Sequence, residues 1–183
     1  MRCIDLPKAW RGRALVIADV ADPASWFRDD ELALAPTRAR RREEWMLARV
    51  AAKELAGDRA LFVERSRTLS LSHSHGYAAA AIDENGVGID VEVPRDVSER
   101  ATHLFLRDDE VAALEAITLP HRLIHFWAAK EAAWKRESDR YETLKQVPLR
   151  LIASTGSELR FDRVETFDAG EVIAALTVPS HSS

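Results

Sequence analysis

Asp83-Glu84-Asn85-Gly86-Val87-Gly88-Ile89-Asp90-Val91-Glu92-Val93-Pro94 is the stretch on which the reading of the fold turns. Residues 83–86 are a turn signal. Residues 87–93 form a short β-branched run ended by Pro94, which predicts a strand paired with the one before the turn. Alternate residues of a strand share a face, so Ile89, Val91 and Val93 turn toward a core while Asp90 and Glu92 turn the other way together. Two adjacent carboxylates repel unless a positive charge lies between them, and a hard divalent cation such as Mg²⁺ takes oxygen ligands of this kind. Read alone, residues 88–92 favour a solvent-facing acidic pair on an edge strand.

Working outward, 13–20 is short, apolar and β-branched, as a buried strand is. Asp22-Pro23 and Asp29-Asp30-Glu31 make a loop and a short helix. Over 37–56 the residues Trp45, Leu47, Val50, Ala51 and Leu55 recur at helical spacing, and Gly57 stands at the C-terminal cap. Strands are predicted at 61–63 and within 68–82. Downstream the period becomes helical over 96–105, 108–116 and 121–136, then returns to strands at 149–154, 158–164 and 171–178, with 179–183 frayed. No internal repeat stands out by eye. This order predicts an α+β fold of two halves, 1–82 and 83–183, packed into one structural unit.

With 183 residues, 46% hydrophobic and 31% charged, the chain suits one globular domain. The formal charge of −4 gives no average field for nucleic acid. The single cysteine, Cys3, forms no intrachain disulfide and suits a reducing compartment. No segment reads as a signal peptide or a membrane span, so a cytoplasmic protein without membrane partners is expected. The 26 basic residues include only five Lys, and Arg38, Arg40, Arg41 and Arg42 crowd into one block. That block reads equally as a solvated helix face or as a phosphate-binding surface.

Two further segments carry chemistry. In Phe126-Trp127-Ala128-Ala129-Lys130-Glu131-Ala132-Ala133-Trp134-Lys135, Glu131 and Lys135 adjoin on one helical face. Such a carboxylate could complete a three-carboxylate metal site and such a lysine could meet a phosphate, although read alone the segment is a core helix with an ordinary ion pair. In Ser70-Leu71-Ser72-His73-Ser74-His75-Gly76, hydroxyls and imidazole at a strand end can bond phosphate oxygens. Zinc is set aside, because no cysteine is near His73 and His75 and the other histidines lack a closed ligand spacing. Gly-x-Ser-x-Gly is absent, and Gly86-Val87-Gly88 precedes a strand rather than opening a helix, which removes the nucleophile-elbow and dinucleotide readings.

Taken together, Ser72-His73-Ser74, then Gly88-Ile89-Asp90-Val91-Glu92, then residues 127–135 resemble the 4′-phosphopantetheinyl transferases, more closely the longer, two-lobed type that serves polyketide and nonribosomal peptide carrier domains. The resemblance covers about residues 38–136. It implies two similar α+β subdomains related by a pseudo-twofold axis, each a small antiparallel sheet on a long helix, with coenzyme A and Mg²⁺ between them. The implied reaction moves 4′-phosphopantetheine from coenzyme A to a serine of an apo acyl or peptidyl carrier protein and releases adenosine 3′,5′-bisphosphate. By the resemblance Asp90, Glu92 and Glu131 are the metal ligands. Ser72 and His73 touch the 3′-phosphate, Lys135 lies near the pyrophosphate, and Lys130 shares its signature. Catalytic roles are implied for Glu131, Lys135 and His73. The basic helix, with Arg38, Arg41, Arg42, Arg49 and Lys53, occupies the position that holds the coenzyme's phosphates. The family's usual Gly-Lys-Pro-like segment is missing; residues 61–68, with Arg65 and Arg67, stand there instead. A monomer is expected. The alternatives are a catalytically degenerate homologue that binds carrier or nucleotide, and a Mg²⁺-dependent phosphate-ester hydrolase using the same carboxylates.

Overall fold

In this computed structural model, which describes residues 1–64 and 66–178, the described residues form two antiparallel sheets. Arg65 and the predicted frayed end, 179–183, lie outside the described residues. The first sheet holds β1 (Arg2–Cys3), β2 (Ala14–Ala18), β3 (Leu69–Ser74) and β4 (Tyr77–Ile82) in the order β1-β2-β4-β3. The second holds β5 (Ile89–Glu92), β6 (Leu151–Ser154), β7 (Glu158–Phe161), β8 (Val164–Asp168) and β9 (Ile173–Thr177) in the order β5-β9-β8-β7-β6. The helices are α1 (Asp29–Leu32), α2 (Ala39–Ala56), α3 (Thr102–Phe105), α4 (Asp108–Glu115) and α5 (Arg122–Arg136).

Side-chain alternation stacks these elements in layers. Leu47, Val50 and Ala51 of α2 pack on Ile17, Leu71, Ala78 and Ala80, which lie on one face of the first sheet. Its other face, with Val16, Ala79 and Ala81, meets Ile89, Val91, Ala174 and Leu176 of the second sheet. Beyond that sheet Ile173 and Ala175 pack against Ala128, Ala129 and Ala132 of α5. The layer order is therefore α2, first sheet, second sheet, α5. Alanines on both strands and helices let the layers approach closely. Gly88 shows how closely, because a Cβ there would stand 1.8 Å from the Ala132 carbonyl oxygen of α5.

The long helices and the Gly57 cap, at φ 66°, form where the periodicity places them. Several expectations are corrected. The strand after the turn pairs with β9 rather than with β4, because both edges of β4 are already taken by β2 and β3. Residues 61–63 form no strand: Phe62 is exposed, Val63 is buried, and three residues with no partner ladder do not hold the conformation. The helix predicted over 96–105 starts only with a 3₁₀ turn at Glu99–Ala101, while Val97 leans on the α5 core. A separate strand, β8, lies between the two predicted at 158–164 and 171–178.

A repeat not visible by eye also emerges. Arg28-Asp29-Asp30-Glu31 opens α1 and Arg107-Asp108-Asp109-Glu110 opens α4. In each, the glutamate accepts the arginine's backbone N–H, at 3.0 and 2.8 Å, and the arginine Nε donates to the second aspartate at 3.1 Å. Each glutamate is then met by a fully buried lysine within an Ala-Ala-Lys-Glu run of the following long helix: Lys53 on Glu31 at 2.8 Å, and Lys130 on Glu110 at 2.6 Å.

Candidate functional site

The edge strand of each sheet meets the other's along a polar seam. Ser70, Ser72 and Ser74 share the face of β3 that looks at β5, and their hydroxyls replace a backbone ladder. Ile89 N–H donates to Ser70 Oγ at 3.0 Å and Val91 N–H to Ser72 Oγ at 3.4 Å. Ser72 Oγ donates to Asp90 Oδ1 at 2.8 Å and Ser74 Oγ to Glu92 Oε2 at 3.1 Å, both across a separation of 18 residues. That constant offset means β3 and β5 run side by side in the same direction.

Lys135, in the last turn of α5, reaches the same strand. Its Nζ donates to Asp90 Oδ1 at 2.7 Å and to the Ile89 carbonyl at 3.1 Å. Asp90 is 4% exposed, and its other oxygen, Oδ2, is buried with no hydrogen-bond partner. Burial pushes the Asp90 carboxyl above its ordinary range, against the opposing pull of Lys135 and Ser72. Glu92 is bound by Arg95 at 2.8 Å as well as by Ser74.

The three carboxylates expected to hold a metal stand as follows. Asp90 and Glu92 are adjacent on the seam, and Glu131 is half-buried one helical turn before Lys135. Among the described residues, however, no three His, Cys, Asp or Glu side chains gather into a set that could hold a metal ion, so the expected triad is not assembled. The physical reason is that Lys135 and Arg95 already neutralise Asp90 and Glu92. The donors nonetheless suit a hard cation: they are all carboxylate oxygens, and one of them is buried and bare.

The residues expected on the coenzyme divide sharply. His73 points away from the seam, because strand neighbours face opposite ways, and lines an open cavity of about 420 Å³ with Arg41, Glu44, Trp45 and Arg49. The Arg49 guanidinium stacks 4.0 Å from the Trp45 ring centre, and His73 Nδ1 lies 3.9 Å from Glu44. The Ser72 hydroxyl bonds Asp90 and the Val91 N–H of β5, on the face opposite His73. Lys53 is corrected. It is fully buried and bonds Glu31 and the carbonyls of Trp26 and Arg59. Lys130 is likewise sealed in, on Glu110 and the Val147 carbonyl, and burial pushes its ammonium below the ordinary lysine range. Arg42 turns from the cavity to the Leu32 carbonyl at 3.3 Å. Of the basic helix, Arg41 and Arg49 are the two that line the cavity.

The sequence reading assigns no role in the site to Ser74, Arg95 or Trp45. The signal for Ser74 is present in the spacing: Ser70, Ser72 and Ser74 recur at period two, as Asp90 and Glu92 do, so a strand face of hydroxyls is set to meet a strand face of carboxylates. No helix among the described residues is long and apolar enough to cross a membrane. No curated protein matches the chain. Residues 86–175, just under half of the chain, match the family model of the 4′-phosphopantetheinyl transferase superfamily, and this segment holds Asp90, Glu92, Glu131 and Lys135, while β3 with its serines and His73 lies outside it.

Proposed function

We propose that this protein is a phosphopantetheinyl transferase of the two-lobed type, which moves 4′-phosphopantetheine from coenzyme A to a serine of an apo acyl or peptidyl carrier protein, with Mg²⁺, and releases adenosine 3′,5′-bisphosphate. The observation that carries this reading is the Lys135–Asp90 contact at 2.7 Å on the seam between the sheets, formed by residues inside the family match. The repeated Arg-Asp-Asp-Glu and Ala-Ala-Lys-Glu devices, and the equivalence of β2-β4-β3 with β5-β9-β8, support two similar halves.

In this reading the cavity beside His73 takes the adenosine end. Arg41 and His73 meet phosphate, and the Trp45–Arg49 stack offers a flat face for the base. Mg²⁺, held by Asp90 and Glu92 with Glu131, would supply charge neutralisation at the pyrophosphate. Lys135 meets the leaving bisphosphate. Glu131, on the same face of α5 one turn away, takes the proton of the attacking carrier serine. The serine oxygen bonds the phosphorus next to pantetheine as that phosphorus releases the oxygen of the bisphosphate.

Incubation with coenzyme A, Mg²⁺ and an apo carrier domain, followed by mass spectrometry of the carrier, tests the reading. A gain of the phosphopantetheine mass is expected. Unmodified carrier with consumed coenzyme would identify a hydrolase instead, and unmodified carrier with intact coenzyme a binding protein.

A further inference from the structure

We propose that Lys135 is the resident counter-ion of Asp90, and that cation and anion bind cooperatively at the seam because a divalent cation there releases Lys135 to the anion. The identity of the anion, coenzyme A, rests on the transferase reading above.

The inference starts from charge. Asp90 and Glu92 are faced by Lys135 and Arg95 at 2.7 and 2.8 Å, so the seam is neutral as it stands. Yet Asp90 Oδ2 is buried and bare. A buried carboxylate oxygen without a donor is unfavourable, and a further positive group beside it would relieve that cost. The carboxylate oxygens of Asp90 and Glu92 are donors of the kind a hard divalent ion takes. Adding two positive charges to these two ion pairs leaves a surplus that Glu131 offsets only in part, and the burial of Asp90 penalises what remains. The surplus is relieved if an ammonium leaves.

Lys135 is the group placed to leave. Its side chain is 16% exposed, its stem is flexible, and its second contact is a neutral carbonyl, Ile89 O. Ser72 remains on Asp90 Oδ1 to hold the carboxylate when the ammonium moves away. The released ammonium is then an unpaired cation at the seam, where an anionic ligand gains what Asp90 has lost. Coupling of this kind is reciprocal, so an anion that draws Lys135 away strengthens the cation by the same factor.

Isothermal titration of Mg²⁺ alone into wild type, Lys135→Met, Lys135→Gln and Asp90→Asn tests this, with circular dichroism confirming that each variant is folded. Both lysine variants are expected to bind Mg²⁺ about tenfold more tightly than wild type, within the ordinary range of coupling, and Asp90→Asn to lose binding. Saturating coenzyme A is expected to strengthen Mg²⁺ binding by a larger factor in wild type than in the lysine variants, where only the direct attraction of the pyrophosphate for the ion remains. Unchanged Mg²⁺ affinity in both lysine variants, with Asp90→Asn still losing it, overturns the counter-ion and leaves the metal reading standing. Absence of Mg²⁺ binding in every form overturns both, and the carrier mass assay reports separately on transfer.

Discussion

Ser72 of β3 donates its hydroxyl proton to Asp90 of β5 at 2.8 Å, across the seam where the edges of the two sheets meet. The same hydroxyl oxygen receives the Val91 N–H at 3.4 Å. One small side chain thus holds both the backbone of the neighbouring strand and the carboxylate at the centre of the candidate site.

Ser72→Ala removes both contacts and leaves groups unsatisfied in a buried place. A loss of about 1–3 kcal/mol is expected, read as a lower urea midpoint with an unchanged slope. Transfer activity should fall further than stability does, since Asp90 loses a donor that orients it. An unchanged midpoint would show that the hydroxyl bridge contributes nothing to the seam.

Lys53 and Lys130 are buried staples rather than coenzyme contacts. Lys53→Met and Lys130→Met each strand a buried glutamate, so a loss of about 3–5 kcal/mol is expected. The Lys130→Met/Glu110→Leu pair should regain only part of it, because Glu110 also accepts the Arg107 and Leu149 N–H groups. The coenzyme A dissociation constant of the folded variants should match that of wild type; a rise of tenfold or more in either would return that lysine to the binding surface.

Arg41 and Arg49 line the cavity beside His73, whereas Arg42 is turned to the Leu32 carbonyl. Arg41→Ala should weaken coenzyme A by about tenfold or more, the worth of a charge-assisted hydrogen bond, with a shallower salt dependence, and Arg49→Ala should weaken it by removing part of the stacking face. Arg42→Ala should leave the affinity near wild type. Titration followed by tryptophan fluorescence can read this, because Trp45 forms part of the same wall. Equal losses from all three would mean that only the helix's net charge matters.

His125, on the face of α5 that meets the second sheet, is fully buried, with Nδ1 2.7 Å from Thr166 Oγ1 and Nε2 without a partner. Burial pushes its pKa from 6.5 down to about 4. The unfolded chain therefore takes up this proton below pH 6.5, whereas the folded chain does so only near 4. Stability should fall as pH drops through that window, by about 3 kcal/mol in all, and level off below it as far as this group is concerned. His125→Leu should remove this part of the slope between pH 6.5 and 4. Parallel pH profiles in the two proteins would show that the imidazole titrates normally.

Much of this was legible in the residues alone. Period two placed Asp90 and Glu92 on one face of a strand and Ile89 and Val91 on the other, helical spacing placed Glu131 and Lys135 on one side of a long helix, and Gly57 marked where α2 stops. These are local matters, decided by backbone geometry within a few residues. Which neighbour occupies each face is a long-range matter that periodicity does not encode. Only the packed sheets decided that β5 pairs with β9, because β4 had no free edge, and that Ser72 turns to Asp90 while His73 turns to α2. Lys53 and Lys130 look like surface cations in a motif until the glutamates that open α1 and α4, 22 and 20 residues earlier, fold back onto them. The sequence by itself determined the face each charged group takes on its own element; the tertiary structure decided whether the space in front of that face holds solvent, a ligand or an opposite charge, because burial and pairing depend on elements far apart along the chain.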